Sequence, residues 1–396
     1  MERRVYVSKT NQPFNPQADS PTVRVRKSYY SFSKTYPKQG ITLEEKRKPK
    51  KKSAAIIRAG ILIVCFVVLL GVSFFVTDVF LRISEKPITE EEAVLIPNVV
   101  TDLTNVKALS VSYDVLSETG KTRACIRQLR RKDCNSVVID FKTDEGYLAY
   151  TSSELYAIRT NSNLYDTKNT RAALTLFEKE GIQVFAGIHC FDDMNLAQYD
   201  PSTAVKYLGT DVLWLTAPEE EGGKPWLDPF QTKVRAYLKN VIQEIASLGV
   251  NGIILKSYAF PVGQAVETAT FAGDESSQTH NQLLKKLIRS IKLSLPETCA
   301  LLLNVDANDM SGNAEKYNGS IFPNDCDGII CNTAVRPAEI ILDREDGYSK
   351  IISYYHNVIG ETNNAAFLLE IPKAEASNAY LRALSRNGYS AYIIDR

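Results

Sequence analysis

The segment TRAALTLFEKEGIQVFAGIHCF, residues 170–191, decides the fold. Its first half spaces Ala173, Leu174 and Phe177 as one face of a helix, and Gly181 stands where a helix ends on a left-handed residue. A nearly continuous apolar run, Ile182–Phe191, follows at once. Such a run suits a strand covered on both faces, as in a parallel sheet between helices. The same passage from helix through glycine to strand recurs at Gly249 and Gly388.

Working outward from that unit, the strand texture returns in VKALSVSYDV (106–115), SVVIDF (136–141), GVNGIILKSY (249–258), ALLLNVDA (300–307), DGIICNTAV (327–335), AAFLLEIP (365–372) and YSAYIIDR (389–396). Helical stretches lie between, among them 232–249, 280–296, 347–360 and 375–388. Eight strand candidates alternating with helices, the last at the C-terminus, predict a closed TIM (β/α)8 barrel over residues 97–396. No glycine-rich phosphate loop follows the first strand, which disfavours a dinucleotide-binding sheet. The longest gap between strands contains the loop 192–230, long enough to shape a substrate cleft.

The chain of 396 residues is electrostatically divided. Residues 1–52 hold fourteen Lys/Arg against four acids, a balance of +10 that leaves −9 for the rest of a chain whose total is +1. Residues 1–53, rich in Tyr, Ser and Lys without apolar periodicity, read as a disordered basic tail. Within a signal-anchor segment over 54–82, the uncharged run 59–77 would span about 28 Å as a helix, close to the hydrocarbon thickness of a bilayer. A cleaved signal peptide fits poorly, because its basic region would exceed fifty residues and no small-x-small cleavage site follows. Lys46, Arg47, Lys48, Lys50, Lys51 and Lys52 precede the span, whereas Asp78 follows it directly and Glu85 and Glu90–Glu92 lie in a linker over 83–96. That asymmetry predicts a single-pass protein of a bacterial plasma membrane, tail in the cytoplasm and C-terminal domain outside.

Six cysteines lie beyond the span. An oxidising exterior permits bridges, with Cys125/Cys134 and Cys326/Cys331 the closest pairs in sequence, and buried thiols are the alternative. With no C-x-x-C and three histidines in the chain, neither a metal site nor a cofactor is expected.

In a parallel barrel the C-terminal strand ends converge on one open face. Those ends carry Asp140, Lys142 and Asp144; His189 and Asp192; Lys256 and Tyr258; Asp306 and Asp309; Asn332 and Arg336; and Glu370. Glycoside cleavage needs two carboxyls about 5–10 Å apart. Asp140, Asp306 and Glu370 are the candidates for them, although acids at strand ends also cap helices or pair with cations. Trp226 in the long loop suits either stacking on a sugar ring or anchoring the loop to the barrel.

At these strand ends the chain resembles a family of glycosyl hydrolase domains, TIM barrels of bacterial surface proteins related in fold to α-amylase-like and chitinase-like glycosidases. Val137-Val138-Ile139-Asp140-Phe141-Lys142-Thr143-Asp144-Glu145-Gly146 resembles the family's V-V-I-D-x-K-x-D-x-G strand. Gly181–Ala186 with Phe191-Asp192-Asp193 is similar to its third strand, Trp226-Leu227-Asp228-Pro229-Phe230 to its W-x-D-P-[YF] element, and Leu248–Ile253 with Phe260-Pro261 to its fourth strand. The strand-end positions and the resemblance together give Lys142, Asp144, His189, Trp226, Asp228, Lys256, Tyr258 and Arg336 as the expected lining of a glycan cleft around the three acids.

The resemblance also marks a departure. The family's fourth strand reads roughly F-D-E-I-Q-F-D-Y-V-R-F-P; here its acid falls on Lys256, its arginine on Ala259, and the strand-three arginine on Gly187. Against a chitinase-like D-x-D-x-E pattern, Lys256 and Tyr258 take acidic positions. A lysine cannot act as glycosyl nucleophile or carboxylic acid. Paired with Asp140, Asp306 or Glu370, it would lower their pKa values. The expected function is therefore binding or processing of polysaccharide or cell-wall glycan with impaired glycosidase chemistry. An active glycosidase using Glu370 with Asp140 or Asp306, and a protein-interaction scaffold, are the alternatives. No nucleic-acid partner is expected; the bilayer is expected as a partner through residues 59–77.

Overall fold

All eight predicted strands form and close on themselves. The computed structural model describes residues 101–263, 265–272, 279–310, 314–336 and 366–396. The expected tail, span and linker, and the helical stretch 347–360, lie outside the described residues. Among the described residues no helix is long and apolar enough to cross a membrane.

The chain runs β1 (Lys107–Val111), α1 (Thr119–Arg131), β2 (Ser136–Lys142), α2 (Leu155–Arg159), α3 (Thr167–Lys179), β3 (Gln183–His189), α4 (Met194–Tyr199), β4 (Lys206–Tyr207), α5 (Thr232–Ser247) and β5 (Gly252–Lys256). It continues through β6 (Ala269–Thr270), α6 (His280–Lys292), β7 (Ala300–Asp306), β8 (Gly328–Asn332), β9 (Ala366–Ile371), α7 (Asn378–Arg386) and β10 (Tyr392–Ile394). The barrel order is β1-β10-β9-β8-β7-β5-β3-β2, every pairing parallel.

Strand alternation divides the apolar residues into two clusters. Val138, Phe185, Ile254, Leu302, Ile330, Leu368 and Ile393 fill the cylinder, with Ala108, Ala300 and Ala391 as its small members. The intervening residues, such as Val137, Ile139, Ile253, Leu255 and Leu303, face the helices. α5 meets them with Val234, Tyr237, Leu238, Val241, Ile242 and Ile245, one stripe at helical spacing. α6 is started by a capping box between Thr279 and Gln282 and buries Leu283, Leu284, Leu287, Ile288 and Ile291.

The long loop between β3 and β5 is ordered by short pairings. β4 pairs antiparallel with β6, and isolated bridges join Ala204 to Leu227 and Leu215 to Pro225. This ribbon belongs to the loops at the C-terminal strand ends, so it borders the barrel mouth. The cysteine alternatives also resolve: all six thiols are buried and none is bridged.

Candidate functional site at the barrel mouth

Above the apolar filling, the next inward positions are polar except for Gly187 on β3: Asp140 on β2, Lys256 on β5, Asn304 on β7, Asn332 on β8, Glu370 on β9 and, just past β10, Asp395. Lys256 Nζ donates to Asp140 Oδ1 at 2.7 Å, and both side chains are mostly buried, at 15% and 14% exposure. Gly187 permits this pair. A Cβ on it would lie 2.2 Å from Asp140 Oδ1 and 3.3 Å from Lys256 Cε. Glycine on β3 and lysine on β5 are thus one steric and electrostatic unit.

The other two candidate acids are arranged differently from expectation. Asp306 is not a partner of Lys256; it is ion-paired with Lys316, which also reaches Asp309 at 3.1 Å. Glu370 is 6% exposed and accepts a hydrogen bond from Asn304 Nδ2 at 2.7 Å. Burial pushes its pKa up, outweighing the opposing charge of Lys256 and the Asn304 bond. The lowering expected from Lys256 is therefore overturned by desolvation. Asp309 is likewise pushed up by burial despite Lys316.

Several residues expected to line a cleft serve the scaffold instead. Lys142 has no exposed surface; its ammonium bonds Asp193 Oδ2 at 2.9 Å and the His189 carbonyl at 2.7 Å. The cause is a register shift between Asp140 and Lys142, which re-aims the second side chain. Asp228 is buried, accepting from the Phe230 and Ala272 backbone N–H groups at 2.9 and 2.7 Å, and so ties the long loop. Tyr258 is buried with its hydroxyl donating to the Leu284 carbonyl at 2.6 Å, and the residue also borders the cavity beside Trp226. Arg336 makes a two-pronged contact with Glu375, at 3.1 Å on each prong, joining the loops after β8 and β9.

Others stay near the open face. Asp144 is ion-paired with Lys224; burial would raise its pKa, and the Lys224 hydrogen bond outweighs that and holds it down. His189 Nδ1 lies 2.9 Å from Asp192 Oδ2, which also accepts from Ser257 Oγ at 2.7 Å. Ser257 ends β5 with φ +49°, a left-handed backbone that a non-glycine residue adopts at a cost. Trp226 anchors its loop, its indole N–H donating to the Ala259 carbonyl at 3.2 Å, and the residue also lines a cavity. That cavity, about 240 Å³, lies between the β5 and β7 strand ends, with Ser257, Asn304, Asp306, Asp309 and Lys316 also on its wall. Among the described residues no group of three or more His, Cys, Asp or Glu is placed to hold a metal ion.

Sequence reading missed Asn304, Lys316 and Asp395 as members of the mouth. Asn304 and Asp395 stand two residues beyond the inward Leu302 and Ile393, an alternation that identifies both. Lys316 has no such signal, since its place depends on the path of the loop after β7.

A family model described as "Putative glycosyl hydrolase domain" matches residues 108–316, just over half of the chain. No curated protein matches the chain. Among solved structures, a hypothetical protein from Ruminiclostridium thermocellum is 20% identical over 49% of this chain and 96% of its own, with a TM-score of 0.42. A GH31 dextranase from Flavobacterium johnsoniae bound to glucose is 11% identical over 76% of this chain and 37% of its own, at a TM-score of 0.49. A GH20 exo-β-N-acetylglucosaminidase from Vibrio harveyi is 10% identical over 67% of this chain and 41% of its own, at 0.43. The chain thus spans less than half the length of these two enzymes. The family match runs from β1, through the strands carrying Asp140 and Lys256, to Lys316, and the chain belongs to this family of glycosyl hydrolase domains.

Proposed function

We propose that this is a membrane-anchored glycan-binding barrel, held outside the cytoplasm by the apolar run 59–77, in which standard two-carboxylate hydrolysis is impaired. The observation that carries the proposal is the Lys256–Asp140 pair at 2.7 Å in the polar layer of the mouth. An acid oxygen committed to a partly buried ammonium is withdrawn from service as nucleophile or proton donor. Asp306 is committed in the same way to Lys316. Of the three candidate acids that leaves Glu370, which alone cannot supply both carboxyl roles. What remains is a recognition surface: the Trp226 wall and the polar groups of the 240 Å³ cavity, suited to a polysaccharide or cell-envelope glycan.

One observation favours an active glycosidase instead: the raised pKa of Glu370, the property a general acid needs. The experiment incubates the full chain in neutral detergent with dextran, xylan, chitin and peptidoglycan, scoring retention and released reducing ends. Retention without release, weakened about tenfold by Trp226→Ala, supports the binding barrel. Release abolished by Glu370→Gln sinks it in favour of hydrolysis. Anchoring is checked in intact cells, where external protease should digest the barrel and spare the basic tail.

A further inference from the structure

A second depression lies beside the mouth. It has a volume of about 520 Å³ and runs between β1 and α1, bordered by the segments that leave β9 and β10. Its floor is apolar, including Leu109, Val111 and Ala124, and its rim carries Lys121, Arg131, Lys373 and Arg396. All four cations are exposed. Asp114 is the one acid in the lining, and its carboxylate already accepts a hydrogen bond from the Tyr165 hydroxyl at 2.8 Å.

Several cations elsewhere on the barrel are neutralised by a neighbouring acid: Lys107 with Asp133, Lys206 with Asp211, Lys233 with Asp200, Arg289 with Asp325, Arg336 with Glu375. None of the four rim cations has a carboxylate partner among the described residues. The mouth has the opposite character, with Asp140, Asp306, Asp309, Glu370 and Asp395 around Lys256 and Lys316. The groove adjoins it in the chain. Arg396 directly follows Asp395, and Lys373 comes three residues after Glu370. Lys121 to Arg131 covers about 15 Å of helix, enough for two or three monomers of a polymer to lie along the rim.

The geometry points to a subsite for the charged part of a polyanionic glycan: the mouth takes an uncharged portion, and the groove takes phosphate or carboxylate groups further along the same chain. This rests on the reading of the mouth as a glycan cleft and names the class of glycan it serves. A concave groove with cations on its rim suits a strand laid into it better than a flat bilayer surface. The charge contrast between the two neighbouring depressions fixes which end of the ligand goes where.

The basic tail would also attract polyanions, so the test must report on single side chains. The full chain in neutral detergent is acetylated briefly, with and without polymer, and each lysine is scored by mass spectrometry. The probes are poly(glycerol phosphate), polygalacturonate and, as a neutral control, dextran. Lys121 and Lys373 should acetylate at least fivefold more slowly with an anionic polymer and at an unchanged rate with dextran. The exposed Lys168 and Lys179 on α3 should not change with any polymer. Protection by poly(glycerol phosphate) alone assigns phosphate as the anion, and protection by polygalacturonate assigns carboxylate. Arg131→Gln with Arg396→Gln, two exposed positions, should weaken the protection about tenfold. Unchanged rates at Lys121 and Lys373, or equal slowing at Lys168, overturns the subsite. Quenching of Trp226 by neutral glycan reports separately on the mouth, so loss of one reading is distinguishable from loss of the other.

Discussion

At Gly187 the consequence of one methyl group follows from the distances around it. The Cβ of an alanine would lie 2.2 Å from Asp140 Oδ1, and that oxygen cannot retreat without leaving Lys256. Overpacking of this kind costs about 1–3 kcal/mol. Gly187→Ala should therefore lower unfolding stability by roughly that amount in a denaturant titration, and most of the cost should vanish in an Asp140→Ala background. An equal cost in both backgrounds would mean that the backbone, not the ion pair, resists the methyl. Glu370 gives a second prediction at this scale. Its raised pKa means that the folded chain holds a proton which the unfolded chain has already released. Stability from this group is complete below the unfolded carboxyl pKa of about 4.3 and is lost as pH rises through the folded value. Glu370→Gln keeps an acceptor for Asn304, and should flatten that decline when Tm is followed from pH 4 to pH 8.

Between elements, Asp200 is the clearest joint. It follows α4, caps the short turn Pro201–Thr203, and accepts from Tyr156 of α2 at 3.1 Å and Lys233 of α5 at 2.8 Å. Burial would raise its pKa, but the hydrogen bonds from Lys233, Ser202 and Tyr156 outweigh that and hold it at about 2. A depressed carboxyl contributes stability that is present above its unfolded pKa and lost as pH falls through the folded one. Asp200→Asn should cost about 1–2 kcal/mol near pH 7 and almost nothing near pH 2, by urea unfolding at the two pH values. Elements of this kind were unequally legible. The barrel strands were readable because each is apolar on both faces and bounded by turn residues. α1 went unnoticed because TGKTRACIRQLRR is so basic that its inward set, Thr122, Cys125, Ile126 and Leu129, is easily overlooked. The β4–β6 ribbon is two residues on each side, below any periodicity. In the mouth, Asp140 and Lys256 were legible from alternation and their complementary charge. Lys142 was misplaced because a bulge breaks alternation where it was being applied, and the partner of Asp306 depended on a loop path that carries no pattern.

For the whole molecule, closure of the barrel bears on the expected location. An extracytoplasmic domain commonly relies on disulfides when its core is small. Here the sheet has no open edge, two apolar clusters fill and clothe the cylinder, and the six thiols are buried within that packing without a bridge. Burial pushes Cys125 up to about 11 and Cys299 up to about 12, and raises Cys134, Cys190 and Cys326 in the same direction, while Cys331 is fully buried. Thiols so shifted carry little thiolate at neutral pH, the species that oxidises and exchanges. An oxidising exterior should therefore leave them untouched while the barrel stays folded. The measurement is maleimide uptake by mass spectrometry, without reductant, on the full chain in neutral detergent. In the folded state these six should stay unlabelled over minutes, and in denaturant all six should react. Each missing pair after denaturation would count one bridge, and the stability of the domain would then rest partly on a covalent link rather than on closure and packing alone.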